Sequence, residues 1–217
     1  MSFVEGKELI NIFRLLNESS LPYILMRNIN NELPSSLEVG KDIDILINKS
    51  DEKEFINFFH SNNYQTIEHP FKYAVFLYGV DRFEFKYNNN NKILFDLSFQ
   101  IAVRSLDKGQ WIPLDQIIQE SAWENKRFEK IDDSFGYWTL SYEDEFVCLV
   151  ARSIFDKKEF QEGYIKRIDE LFKIINQNDV ISKFNMVFFK FTPYLMSYIE
   201  KQNYDEIIKN YLQFKEY

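Results

Sequence analysis

The sequence predicts an α+β protein: a mixed β-sheet flanked by helices, followed by a helical C-terminal region. Three observations carry that prediction. β-rich runs bounded by turn-forming residues recur between Tyr23 and Leu140, an amphipathic helical pattern precedes them, and from Ser141 onward the apolar spacing turns helical throughout. A division at 140/141 is therefore expected, between an α+β part (1–140) and a helical part (141–217).

Leu9, Ile10, Ile12, Phe13 and Leu16 recur at helical spacing, which places the first helix over residues 5–18, with NESSLP as its stop. YILM (23–26) reads as a short strand, and the polar stretch after it as a loop. The next strand is Asp42–Ile47. Asp51 is expected to cap a helix running to His60, with Phe55, Phe58 and Phe59 facing inward. Four β-rich runs come next: YQTIEH, KYAVFLY, RFEFKY and KILFDLSF, with the asparagines at 88–91 as a turn. A loop through Trp111 and Pro113 leads to two shorter strands, RFEKI and YWTL. Ser141 and Asp144 form a capping-box pattern at the head of a helix whose stripe is Phe146, Val147, Val150, Ile154 and Phe155. A second helix carries Tyr164, Ile168, Leu171, Phe172 and Ile175, and further helices fill the remainder.

Composition narrows the function. With 22 Phe and 13 Tyr in 217 residues, and few Gly and Pro, the chain is built to pack a core of rings. A net charge of −8 argues against general nucleic-acid binding, which rewards a basic surface. One cysteine, Cys148, excludes an internal disulfide and a thiolate zinc cage; its apolar context reads as core packing. Two histidines, His60 and His69, lack the spacing of a zinc hydrolase, and Gly-rich phosphate loops, nucleophile elbows and kinase signatures are missing from the sequence. The N-terminus has acidic residues and no apolar secretory core, and the late apolar segment is interrupted by Lys190 and Pro193, so a cytoplasmic protein without membrane insertion is expected.

The stretch VGKDIDILI poses the chemical problem. In a strand, Ile43, Ile45 and Ile47 face one way while Asp42 and Asp44 project together from the other. Two like charges about 6–7 Å apart along the backbone repel unless a cation intervenes. In KILFDLSF, Asp96 again projects from the face opposite Ile93, Phe95, Leu97 and Phe99. If the two strands are neighbours, three carboxylates converge, a set of hard oxygen ligands suited to Mg²⁺ and through it to a nucleoside triphosphate. A solvated strand face is the bland alternative for each acid taken alone.

These elements resemble the nucleotidyltransferase superfamily of the DNA polymerase β type, in particular its bacterial members linked to cell-surface polysaccharide genes. LPYILMRN is similar to the family's first strand, GKDIDILI to its acid-hydrophobic-acid strand, and ILFDLSF to the strand bearing its third acid; SYEDEFVCLVARSIFDKKEF looks like the helix that follows the sheet. The resemblance implies Asp42, Asp44 and Asp96 as catalytic and metal-binding residues, Mg²⁺ as cofactor, and an NTP whose NMP passes to a small-molecule, sugar or protein acceptor. The family's Gly-Gly or Gly-Ser pair is replaced here by Arg27 and Asn28. Either a guanidinium fork replaces backbone contacts to the triphosphate, or the nucleotide is not bound in the usual way. Arg27, Asn28, Lys41 and Arg152 are the candidate phosphate contacts, with Lys157, Lys158, Lys166 and Arg167 extending the basic set on the later helices. A non-catalytic binding or regulatory subunit of the same fold, and a phosphotransferase of surface-polysaccharide assembly, are the rival readings.

Overall fold

The computed structural model describes residues 2–68, 85–89, 92–106 and 110–214. The expected run KYAVFLY, with His69, Asn90 and Asn91, lies outside them. Two compact units are formed, and among the described residues the chain crosses between them at 101/102, 125/126 and 140/141.

In the first unit, α1 (Gly6–Glu18) is followed by β1 (Tyr23–Leu25), β2 (Asp42–Ile47), α2 (Glu52–Ser61), β3 (Gln65–Glu68), β4 (Phe85–Asn89) and β5 (Ile93–Ser98). Strands β8 (Arg127–Lys130) and β9 (Gly136–Thr139) return to the same sheet, whose order among the described residues is β3-β4-β5-β2-β1-β9-β8. β2 runs parallel to β5 and β1 parallel to β9, while the other pairings are antiparallel. The sheet is mixed, as the α+β class requires.

Period-two alternation sets the core. Ile43, Ile45 and Ile47 of β2 and Ile93, Phe95 and Leu97 of β5 are buried with Leu9, Phe13 and Leu16 of α1 and Phe55 and Phe59 of α2. Rings organise the cluster. Phe13 meets Phe135 edge-on at 5.4 Å, and Phe59 lies 5.1 Å from Phe95. This packing fixes which way β2 faces, because a one-residue slip would drive Asp42 and Asp44 into the rings. Gly40 turns the chain into β2 with φ of 84°, a conformation that favours glycine.

The second unit contains the hairpin β6 (Ala102–Arg104) and β7 (Trp111–Pro113), then α3 (Gln116–Glu124), α4 (Tyr142–Arg152), α5 (Glu162–Phe172), α6 (Gln177–Phe188), α7 (Thr192–Glu200) and α8 (Tyr204–Gln213). Ser141 caps α4 as expected, its hydroxyl accepting from the Asp144 N–H at 3.1 Å. A π-helical turn, Ser153–Lys157, continues α4. Among the described residues no helix is long and apolar enough to cross a membrane.

Three expectations need correction. The loop through Trp111 and Pro113 is a hairpin and a helix, the hairpin braced by the Arg104 guanidinium 5.1 Å from the Trp111 ring and the helix capped by Asp115, which accepts from the Ile117 N–H at 2.9 Å. Asp51 does not cap α2 through its side chain: it ends a 3₁₀ turn, where Asn48 and Ser50 donate to its carboxylate. Cys148 is half-buried on α4 and stands outside the buried stripe of Phe146, Val147, Leu149 and Val150.

Candidate active site

β2 and β5 are neighbours, and their register aligns Asp44 with Asp96 and Asp42 with Leu94. All three acids therefore occupy one face of two adjacent parallel strands, opposite the ring-filled core. They are half-buried, whereas Ile43, Ile45, Phe95 and Leu97 between them are buried. Parallel pairing in this register is what brings the third acid in: both apolar sets face the core and Asp96 lies beside Asp44.

β1 supplies the next residue. Its last residue, Leu25, pairs with Ile45, and the Met26 N–H donates to the Asp44 carbonyl at 3.0 Å. One step further, Arg27 Nη2 donates to Asp44 Oδ2 at 2.7 Å, with the side chains 20% and 24% exposed. The guanidinium thus sits against the acid face.

The other candidates have partners of their own. Asn28 receives no charge to balance: its amide donates to the Tyr137 hydroxyl and its oxygen accepts from the Leu33 N–H, each at 3.0 Å, so it braces the loop after β1. Lys41 pairs with Glu32. Arg152 belongs to the second unit, where it donates to Asp156 at 3.2 Å and to the Tyr164 hydroxyl at 3.2 Å. Arg167 forms a bidentate pair with Glu145, both bonds 2.7 Å, which raises the Arg167 pKa further. His60 ends α2 as expected, its Nε2 within 3.0 Å of the Thr66 hydroxyl.

Comparison with solved structures finds a similar fold. The chain matches the solution structure of the antibiotic-resistance factor ANT(2'')-Ia with a TM-score of 0.51 at 10% identity, covering 92% of this chain and 98% of that one. At this identity the likeness is one of fold. The crystal structure of ANT(2'')-Ia with adenylyl-2''-tobramycin gives a TM-score of 0.49 at 10% identity over 82% and 93% of the two chains. The lincosamide antibiotic adenylyltransferase LnuA, bound to lincomycin, gives 0.44 at 14% identity over 80% and 100%. No family model and no curated protein matches the sequence.

On this fold the fit to a divalent cation is a matter of donor chemistry. Three carboxylates on one strand face are hard oxygen donors of the type Mg²⁺ takes. Among the described residues, no three His, Cys, Asp or Glu side chains are drawn together closely enough to hold an ion, and the Asp44 carboxylate is turned to Arg27. The backbone presents three carboxylates on one face, and Arg27 holds one of them. A separate cavity of about 300 Å³, lined by Arg14, Glu18, Phe128, Lys130 and Asp132 at α1 and the β8–β9 hairpin, includes none of the candidate residues.

Sequence reasoning missed the destination of Arg27. The register of β1 on β2 brings Met26, not Arg27, opposite Asp44, so strand phase alone does not give the contact; it depends on how the chain leaves the strand after Leu25.

Proposed function

We propose that the chain is a metal-dependent nucleotidyltransferase that moves a nucleoside monophosphate from an NTP to a hydroxyl or phosphate of a small-molecule, sugar or protein acceptor. The observation that carries this reading is the register of Asp44 with Asp96 on adjacent parallel strands, with Asp42 on the same face. Asp42 and Asp44 would hold a divalent cation of the Mg²⁺ kind, which when bound orients the triphosphate and offsets the charge developing at phosphorus. Asp96 is placed to accept the proton of the acceptor hydroxyl. As the acceptor oxygen bonds to the α-phosphorus, the bond to the β-phosphate oxygen breaks and pyrophosphate leaves. Arg27 and Lys41 supply positive charge for the phosphates, and Asn28 fixes the loop that carries Arg27.

One observation favours a second reading, a non-catalytic subunit of the same fold: the Arg27 guanidinium already neutralises Asp44. Titration calorimetry with Mg²⁺ and each NTP, followed by transfer from α-labelled NTP, separates the two. The catalytic reading expects NTP binding and, for Asp42→Ala, a loss of transfer on the order of a hundredfold or more, comparable with removal of other electrostatic contributions to a transition state. A folded protein that binds none of the four NTPs rules it out.

A further inference from the structure

The acid face concentrates negative charge that would be self-repelling if nothing offset it. Asp42, Asp44 and Asp96 share that face, and like charges so placed repel one another. The structure offsets it with Arg27, whose Nη2 lies 2.7 Å from Asp44 Oδ2. Its position is set by the backbone rather than by chance, since β1 is anchored to β2 up to Leu25 and the Met26 N–H is bound to the Asp44 carbonyl. Side-chain exposures of 20% and 24% put the pair in an intermediate setting: sheltered enough for the attraction to count, open enough for the guanidinium to leave without stranding a charge in the core.

A divalent ion needs the same carboxylate oxygen, and it cannot approach a site where a full positive charge stands at contact distance without repulsion. A triphosphate changes this, because a phosphate offers two oxygens that can accept N–H bonds from the guanidinium fork together. We infer, on the reading of the acid face as a nucleotide site, that Arg27 is a displaceable counter-ion: it holds Asp44 when no cation is bound, opposes a cation entering alone, and moves to a phosphate when cation and nucleotide enter together. Cation and triphosphate then load cooperatively, each raising the affinity for the other by the same factor. In this account the arginine in place of a small residue makes loading conditional on nucleotide.

The test is direct cation binding. Mn²⁺, followed by loss of its free-ion paramagnetic resonance signal, is titrated into wild type, Arg27→Gln and Asp42→Asn, with circular dichroism confirming the fold of each. The α,β-methylene analogue of ATP is then titrated at saturating Mn²⁺. Removing one positive charge at contact distance is expected to tighten Mn²⁺ binding in Arg27→Gln by about tenfold or more and to weaken the analogue by a similar factor. Arg27→Met, which keeps the apolar stem and removes the charge, replaces Arg27→Gln should that variant not fold. If the charge-neutral variant binds Mn²⁺ no more tightly than wild type, while Asp42→Asn abolishes binding, the counter-ion role is wrong and the acid-face site stands. If Mn²⁺ binds neither protein with the fold intact, the site reading itself fails and the inference with it.

Discussion

Two acid–base pairs, one in each unit, close at the same distance and do opposite things. Arg27 and Asp44 meet at 2.7 Å with 20% and 24% of their side chains exposed; Lys183 and Asp144 meet at 2.7 Å with 6% and 0% exposed. Asp144 is surrounded by fixed donors: Ser121 Oγ reaches both of its oxygens at 3.1 and 2.9 Å, and Ser141 Oγ adds a bond of 2.8 Å. Lys183 in turn also donates to Asp179 at 2.7 Å. A carboxylate sealed from water must have its lone pairs filled by the protein, and the network around Asp144 ties α3, α4 and α6 together as a result. Asp44 lies on a strand face beside two more acids, partly open to solvent. Bond length does not separate a sealed pair from an open one. Burial and the company of other donors do.

The contrast is broken most sharply by removing Lys183. Lys183→Met leaves Asp144 buried without its cation, and the loss of one partner of a buried pair typically costs about 3–5 kcal/mol. Asp44→Asn, by comparison, is expected to change stability by less than about 1 kcal/mol, the range for partly exposed pairs. Denaturant midpoints of the two variants measure the difference, and equal costs would show that the acid face is structural after all. A smaller effect sharpens the picture of the buried network. Ser141→Ala removes both the cap of α4 and one donor to Asp144, and a loss of about 0.5–2 kcal/mol is expected by the same measurement.

How much of this could be read in advance differs between the two pairs. The acid face was legible because strand alternation is local: Asp42 and Asp44 separate from Ile43, Ile45 and Ile47 by phase alone, and Asp96 separates from Phe95 and Leu97 in the same way. That β2 and β5 are neighbours is a matter of topology, which phase does not specify. The Asp144 network was half legible. Ser141 and Asp144 stand three apart in a capping pattern, but Lys183 lies 39 residues away on a helix whose sequence reads as an ordinary amphipathic segment. The hairpin of β6 and β7 was missed because its strands are three residues each and carry a proline, which weakens every local strand signal. Arg27 was noted as a departure, yet its contact with Asp44 depends on antiparallel pairing across seventeen residues.

Alkaline pH probes the buried pair more gently. Burial acts against the Lys183 charge, but hydrogen bonds and charge attraction from Asp144 and Asp179 outweigh it and hold the pKa above the ordinary 10.5. The folded state therefore binds this proton more tightly than the unfolded chain does. Its contribution to stability is complete below pH 10.5 and is lost as pH rises through the higher folded value. Burial also raises Tyr23, Tyr64 and Tyr204, which adds an alkaline decline common to any variant that retains them. Melting temperatures from about pH 9 to about pH 11.5, measured on wild type and Lys183→Met, isolate the lysine. The gap between the two proteins should be constant at the lower end and narrow toward the upper, because the wild type loses the attraction that the variant never had; a gap that stays fixed across the range means that the charge on Lys183 contributes nothing and that only its packing is being measured.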